Sequence, residues 1–142
     1  MPVSLTDDKL VAAVLPLEYT ELYSRFVKRF SEVALFTENV TATRAFYETL
    51  LDLRPESEWP GGAIYAVGAV KLLVHERANP PENGPPNEDH IALAVEDLDH
   101  SCEQLRSSGV VFLAEPRDYP WGRSAYLRDP DGRLVELQVR AY

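Results

Sequence analysis

The sequence predicts an α+β domain: two β-α-β-β-β modules that make one mixed sheet surface with helices outside, preceded by an N-terminal helical extension. Three observations carry this. Residues 32–40 lie over residues 90–98 at a constant offset of 58, and each copy passes from strand composition into a helical pattern. Residues 68–73 lie over 132–137 at an offset of 64. Between helix and last strand, each copy has room for two further short strands.

The elements follow in order. Residues 1–30 fall outside the repeat. Tyr19, Leu22, Tyr23, Phe26, Val27 and Phe30 follow helical spacing, and Pro16 suits a first turn. The expectation is an amphipathic helix packed outside the domain; a lid or partner-binding helix is the alternative. Module one spans 31–77. In its first strand Val33 and Leu35 share the helix-facing side, leaving Glu32, Ala34 and Phe36 opposite. Asn39 is a good N-cap, and Ala42, Phe46, Leu50 and Leu53 form the helical stripe with Tyr47 at its edge. Short strands are expected near 56–59 and 63–67. The connector, 78–89, holds Pro80, Pro81, Pro85 and Pro86 without apolar periodicity and reads as a semi-rigid linker.

Module two spans 90–140. Ile91, Leu93 and Val95 face the helix side, and His90, Ala92 and Ala94 the other. Asp97 is the cap equivalent to Asn39. Leu98, Cys102 and Leu105 form the stripe, which Gly109 ends. Strands are expected near 110–113 and 123–128, with six extra residues in a loop around 115–121. Asp129-Pro130-Asp131-Gly132 is a type I turn signal. In the last strand Val135, Leu137 and Val139 go to the helix side and Leu134, Glu136 and Gln138 to the other.

Composition limits the function classes. The 142 residues fit one domain. Fourteen Lys and Arg stand against 23 Asp and Glu, a net charge of −9, which argues against nucleic-acid and anionic-membrane binding. The single cysteine, Cys102, permits no intrachain disulfide, so a reducing cytoplasm is expected. The longest apolar run, 10–17, is too short to span a bilayer, and Asp7 and Asp8 precede it where a signal peptide would be basic. No export signal and no membrane anchor are expected.

The non-helical face presents Glu32, His90 and Glu136 among small residues, as in a curved sheet holding a cleft. Two inward carboxylates in a partly dry cleft need a proton or a cation. A divalent metal on Glu32, His90 and Glu136 meets that need. The alternative is that Glu32 pairs with an arginine such as Arg123 and His90 is a hydrogen-bonded cleft histidine. By the offset of 64, Leu72 is the repeat partner of Glu136. Trp121, Arg123 and Tyr126, with Phe36, are candidates to stack on or hydrogen-bond an organic ligand, the alternative being packing of a loop; Trp59 and Tyr65 have weaker claims. Alternation from Leu72 puts Glu76 toward the cleft and His75 toward the helices, and a bulge would reverse this. His100 reads as solvated and Cys102 as a core residue.

The runs His90-Ile91-Ala92-Leu93-Ala94-Val95, Trp121-Gly122-Arg123 and Asp129-Pro130-Asp131-Gly132-Arg133-Leu134-Val135-Glu136-Leu137 resemble the second module of the vicinal oxygen chelate superfamily: glyoxalase I, bleomycin- and fosfomycin-resistance proteins and extradiol dioxygenases. Val33-Ala34-Leu35-Phe36 with Arg44-Ala45-Phe46-Tyr47 resembles its first module. The resemblance covers about residues 31–140. It implies paired modules around an open barrel, often completed across a homodimer, and metal ligands from the first and last strands of each module. Carried over by position, these are Glu32, Leu72, His90 and Glu136. Glu32 stands where His or Gln is usual, and Leu72, where glyoxalase I has Glu, binds no metal. What remains is one His and two carboxylates, suited to Zn²⁺, Mn²⁺, Fe²⁺ or Ni²⁺. The function implied is a metal-dependent lyase, isomerase or dioxygenase-type enzyme acting on a small oxygen-rich molecule, with Glu32 or Glu136 doubling as base. The alternative is a metal-free binding protein of the bleomycin-resistance type.

Overall fold

A computed structural model describes residues 24–79, 82 and 84–140. The first module runs β1 (Val27–Thr37), α1 (Val40–Leu51), β2 (Ser57–Trp59), β3 (Gly62–Val67) and β4 (Val70–Glu76). The second runs β5 (His90–Val95), α2 (Leu98–Ser107), β6 (Phe112–Tyr119), β7 (Gly122–Arg128) and β8 (Leu134–Arg140). All eight strands form one open mixed sheet in the order β2-β3-β4-β1-β5-β8-β7-β6. The modules meet where β1 and β5 pair antiparallel, with Glu32 opposite Ala92 and Ala34 opposite His90. β1 pairs parallel with β4, and β5 parallel with β8.

Local chemistry sets the helix starts. Asn39 accepts from the Ala42 N–H at 3.0 Å, and Asp97 accepts from the His100 N–H at 3.0 Å, so both expected caps are made. In the 129–132 turn the Gly132 N–H donates to the Asp129 carbonyl, while the Asp129 side chain accepts from the N–H groups of Asp131 and Arg133. Gly132 has φ +84°, which favours glycine there.

Each module has its own helix-side core. In module two Leu98 and Cys102 pack with Val95, Ala125 and Leu137, and Leu105 joins from the edge, as the stripe predicts. Burial pushes the Cys102 thiol up to about 11, so it sits as a small apolar residue. In module one the core is Ala63, Tyr65, Leu72 and Val74, covered by Leu35, Tyr47 and Leu51.

Several expectations need correction. On α1, Tyr47 and Leu51 cover the core, whereas Phe46 and Leu50 are 60% and 64% exposed, so the stripe is turned one residue from the expected phase. Val27 and Phe30, expected at the end of a helix, belong to β1, where pairing with β5 overrides the local helical spacing. Phe26 lies in the bend that precedes β1, and the rest of that expected helix, within residues 1–23, lies outside the described residues. The extra residues near 115–121 are not a loop: β6 has eight residues against three in β2 and pairs with β7, with register shifts, up to Tyr119 opposite Gly122. Among the described residues, no helix is long and apolar enough to cross a membrane.

One further correction fixes the cleft. In β4, Leu73 is the register partner of Ala34, and in β8, Glu136 is the register partner of Ala92. Because Ala34 and Ala92 are equivalent at the offset of 58, the counterpart of Glu136 is Leu73, at an offset of 63. The offset of 64 came from matching Gly68 to Gly132. The turn after β3 has two residues between Val67 and Val70, whereas that after β7 has five between Arg128 and Leu134. Matching the glycines slips β4 by one residue, which moves every side chain to the other face.

Candidate metal centre

Three strands deliver the central groups. Glu32 comes from the middle of β1, His90 from the start of β5 and Glu136 from β8; all three are buried. Each offers one ligand atom, and these atoms lie within 4.8 Å of one another. Small neighbours make the room: Ala34 and Ala92 are both fully buried, and across the strands Ala34 is opposite His90 while Ala92 stands between Glu32 and Glu136.

His90 shows how the centre is wired. Its Nδ1 lies 2.7 Å from the Glu88 carbonyl oxygen. A carbonyl only accepts, so Nδ1 carries the hydrogen. In the neutral ring, Nε2 then presents a lone pair, yet Nε2 lies 3.0 Å from Glu136 Oε1. Two buried acceptors at that distance need a cation between them, either a proton or a metal ion. Glu136 is held from its other oxygen, where Ser124 Oγ donates at 2.6 Å; Trp121 Nε1 in turn donates to Ser124 Oγ at 3.2 Å. Bonds of this kind fix the orientation of metal-ligating side chains. One nitrogen with two carboxylate oxygens is a competent set for a divalent ion, and the residues present fit one.

The protonation state agrees. Burial lowers the His90 pKa, but the bond to Glu136, the Glu88 carbonyl and the charges of Glu136 and Glu32 together hold it above its ordinary value of 6.5. Without metal, and below that raised value, Nε2 carries a proton and donates to Glu136. A raised pKa contributes stability that is complete below about 6.5 and is lost as pH rises through the raised folded value. The melting temperature in chelator is therefore expected to fall as pH rises through that value, and Zn²⁺ or Mn²⁺ should reverse the trend, because the ion competes with the proton for Nε2. A melt series across pH with and without metal checks this; equal slopes in both would contradict it.

A cavity of about 180 Å³ opens beside the three groups. Phe36, Trp121 and Tyr126 line it with Glu32, His90 and Glu136. The Phe36 ring lies 5.9 Å from His90, 29° from parallel, and Tyr126 meets His90 edge-on at 5.9 Å. Tyr119 stacks on Trp121 at 4.8 Å and steadies it. Arg123 is elsewhere. Its guanidinium donates to Asp99 at 2.9 Å and to Asp118 at 3.0 Å, and its register partner Val139 packs in the helix-side core. It neither lines the cavity nor pairs with Glu32, so both expectations for it are corrected. Strand parity explains why: Arg123 and Tyr126 are three residues apart in β7 and cannot share a face.

The slip in β4 also misplaced Leu72, His75 and Glu76. Leu72 packs in the helix-side core, whereas Leu73 lines the cavity. His75, two residues further on, lines it too, and Glu76 is exposed on the other side. His75 Nδ1 lies 2.8 Å from the Glu76 carbonyl oxygen, and its ring is 5.4 Å from Phe36 and 6.1 Å from Trp59. Ser124 was missed, although alternation from Tyr126 brings it to the cleft side. The connector's Pro85, Pro86 and Asn87 were missed as cavity wall; they carry no periodic signal.

Comparisons with known proteins agree with this architecture. The chain is 36% identical over 106 residues to a protein of Mycobacterium tuberculosis named "Putative glyoxylase CFP32", covering 72% of this chain and 41% of that one. It thus spans about two-fifths of that relative's length. It is 25% identical over 117 residues to the glutathione transferase FosA of Serratia marcescens, covering 80% of this chain and 82% of that one. Among solved structures, methylmalonyl-CoA epimerase from Mycobacterium tuberculosis shares the fold, with a TM-score of 0.68 at 22% identity over 84% of this chain and 93% of the other. A family model matches residues 29–137, from near the start of β1 into β8 and across all three central groups, and by that match the chain belongs to the Glyoxalase/Bleomycin resistance protein/Dioxygenase superfamily.

Proposed function

We propose that this chain is a divalent-metal-dependent enzyme of the lyase, isomerase or dioxygenase type, acting on a small oxygen-rich organic molecule, with Glu32, His90 and Glu136 as the metal ligands. The supporting observation is the pair of buried acceptors, His90 Nε2 and Glu136 Oε1, 3.0 Å apart with a second carboxylate beside them. When bound, the ion supplies Lewis-acid stabilisation of negative charge developing on substrate oxygens.

The protein's own groups do the rest. Ser124 holds Glu136 from one oxygen, and the Glu88 carbonyl holds the His90 ring in the tautomer that leaves Nε2 open. Phe36, Trp121 and Tyr126 exclude water and orient an organic body next to these atoms. Glu32 and Glu136 are the carboxylates within reach of a substrate proton in this cleft, and one of them acts as base.

Calorimetric titration of chelator-treated protein with Zn²⁺, Mn²⁺, Fe²⁺ and Ni²⁺ tests this. One ion per chain is expected, with an enthalpy that depends on the buffer because His90 releases its proton. No binding by any of the four would favour the second reading, a metal-free binding protein. Leu73 at the position equivalent to Glu136 and the largely apolar walls favour that reading.

We also infer a homodimer. Val33 and Ile91 are register partners where the modules meet, and both are exposed, at 38% and 40%. An apolar pair there is suited to burial by a second copy. Light scattering is expected to give about twice the chain mass of 16.0 kDa at micromolar concentration, and a monomer would refute this.

A further inference from the structure

The cleft constrains its ligand in size, shape and charge. The space of about 180 Å³ is close to the cavities of about 150 Å³ that take up a benzene molecule. It therefore admits a single ring with a few substituent atoms, or one end of something larger.

Its walls are largely apolar. Phe36, Trp121 and Tyr126 supply rings, Leu73, Pro85 and Pro86 add apolar sides, and His75, Asn79 and Asn87 are the polar lining groups besides the three central ones. Phe36 and Tyr126 both contact the His90 imidazole. A ligand group placed beside Nε2 therefore meets aromatic surface at once, which favours a planar body.

Charge narrows the choice further. No lysine or arginine is among the described residues that line the cavity. Basic side chains nearby are directed at protein groups: Arg77 donates to the Phe36 carbonyl at 3.2 Å, Lys71 bonds Glu56 at 2.7 Å, and Arg128 bonds Glu88 at 2.7 Å. Glu32 and Glu136 together balance one divalent ion, and the other polar groups among the described lining residues are the amides of Asn79 and Asn87 and the imidazole of His75, whose Nδ1 faces the Glu76 carbonyl. A carboxylate or phosphate carried into these walls would be desolvated with no lysine or arginine of the described lining to pair with.

We propose that the ligand of this cleft is a small uncharged molecule with a planar apolar body, its adjacent oxygens turned toward Glu32, His90 and Glu136, rather than a conjugate that brings an anionic group into the cavity. The placement of the oxygens rests on the metal-dependent reading above; the planar, uncharged body rests on the walls alone.

Three hydroxamic acids separate these features. Benzohydroxamic acid carries two adjacent oxygens on a benzene ring. Acetohydroxamic acid keeps the same chelating head without the ring, and 4-carboxybenzohydroxamic acid keeps head and ring but adds an anion to the body. On Zn²⁺- or Mn²⁺-loaded protein, followed by calorimetry and tryptophan fluorescence, the benzo compound should bind about tenfold or more tighter than each of the others. Phe36→Leu should narrow its advantage over the aceto compound. Equal affinities within about threefold, or tightest binding by the carboxylated compound, would overturn the proposal. If the protein takes up no metal, the metal-dependent reading fails on its own, and the walls are tested in metal-free protein with benzamide against benzoate. Preference for benzamide by about tenfold or more supports the uncharged planar ligand; equal binding, preference for benzoate, or binding of neither at millimolar concentration sinks it.

Discussion

Replacing His90 with Ala is expected to abolish measurable metal binding at micromolar ion concentration. Three ligands are the minimum that the cleft offers, and His90 is the only nitrogen among them. Losing groups that merely orient a ligand costs on the order of 10- to 100-fold in affinity, so removing a ligand itself should cost at least about 100-fold. Glu136→Gln is the companion variant. Its amide keeps the shape, and its nitrogen can donate to His90 Nε2, whose present contact with Oε1 is 3.0 Å. The metal-free protein should therefore remain folded at neutral pH while metal affinity falls by a similar factor. Calorimetry with Zn²⁺ and Mn²⁺, alongside melts in chelator, reads both effects. Full metal affinity in Glu136→Gln would show that this carboxylate does not bind the ion. Equal loss of fold in both variants would assign the cluster to stability.

Much of this arrangement is legible in the residues. The duplication, both N-caps, the 129–132 turn and the three central groups follow from period and spacing, because a buried strand face constrains its residues every second position. What was misread depends on information that spacing lacks. Turn length is one case: Gly68 and Gly132 look equivalent, but the turns that hold them differ by three residues between the paired strand ends, two against five. Sliding β4 by one residue hid Leu73 and His75 and put Leu72 in the cleft. Helix phase is another. Phe46 and Leu50 have the same i, i+4 spacing as the pair Tyr47 and Leu51 that covers the core, and sequence alone does not say which stripe the sheet selects. The Pro-rich connector becomes a wall of the cleft only through tertiary placement, whereas Arg123 could have been excluded by parity alone.

Leu73→Glu and Leu72→Glu should have opposite outcomes, which makes the corrected register testable. Antiparallel pairing of β1 with β5 relates the modules symmetrically. Glu136 is the partner of Ala92, two residues from His90, and Leu73 is the partner of Ala34, two residues from Glu32. Leu73 thus stands toward Glu32 as Glu136 stands toward His90. A glutamate at 73 would reach the centre from the opposite side and complete the four-ligand arrangement of the glyoxalase-like pattern. Metal affinity should rise by about tenfold or more, by analogy with the loss expected on deleting a group at this centre. The metal-free variant carries a third carboxylate in the cleft, so it should melt lower and recover with added ion, since an ion bound only by the folded state stabilises by mass action. Leu72 is 8% exposed among Tyr65, Val74 and Ala63. A carboxylate there faces the helix-side core with no cation in reach. Its cost is on the order of 3–5 kcal/mol, and metal should restore nothing. Denaturant melts of the two variants with and without Zn²⁺ separate the cases: rescue of Leu72→Glu but not of Leu73→Glu would return β4 to the register expected from the glycines.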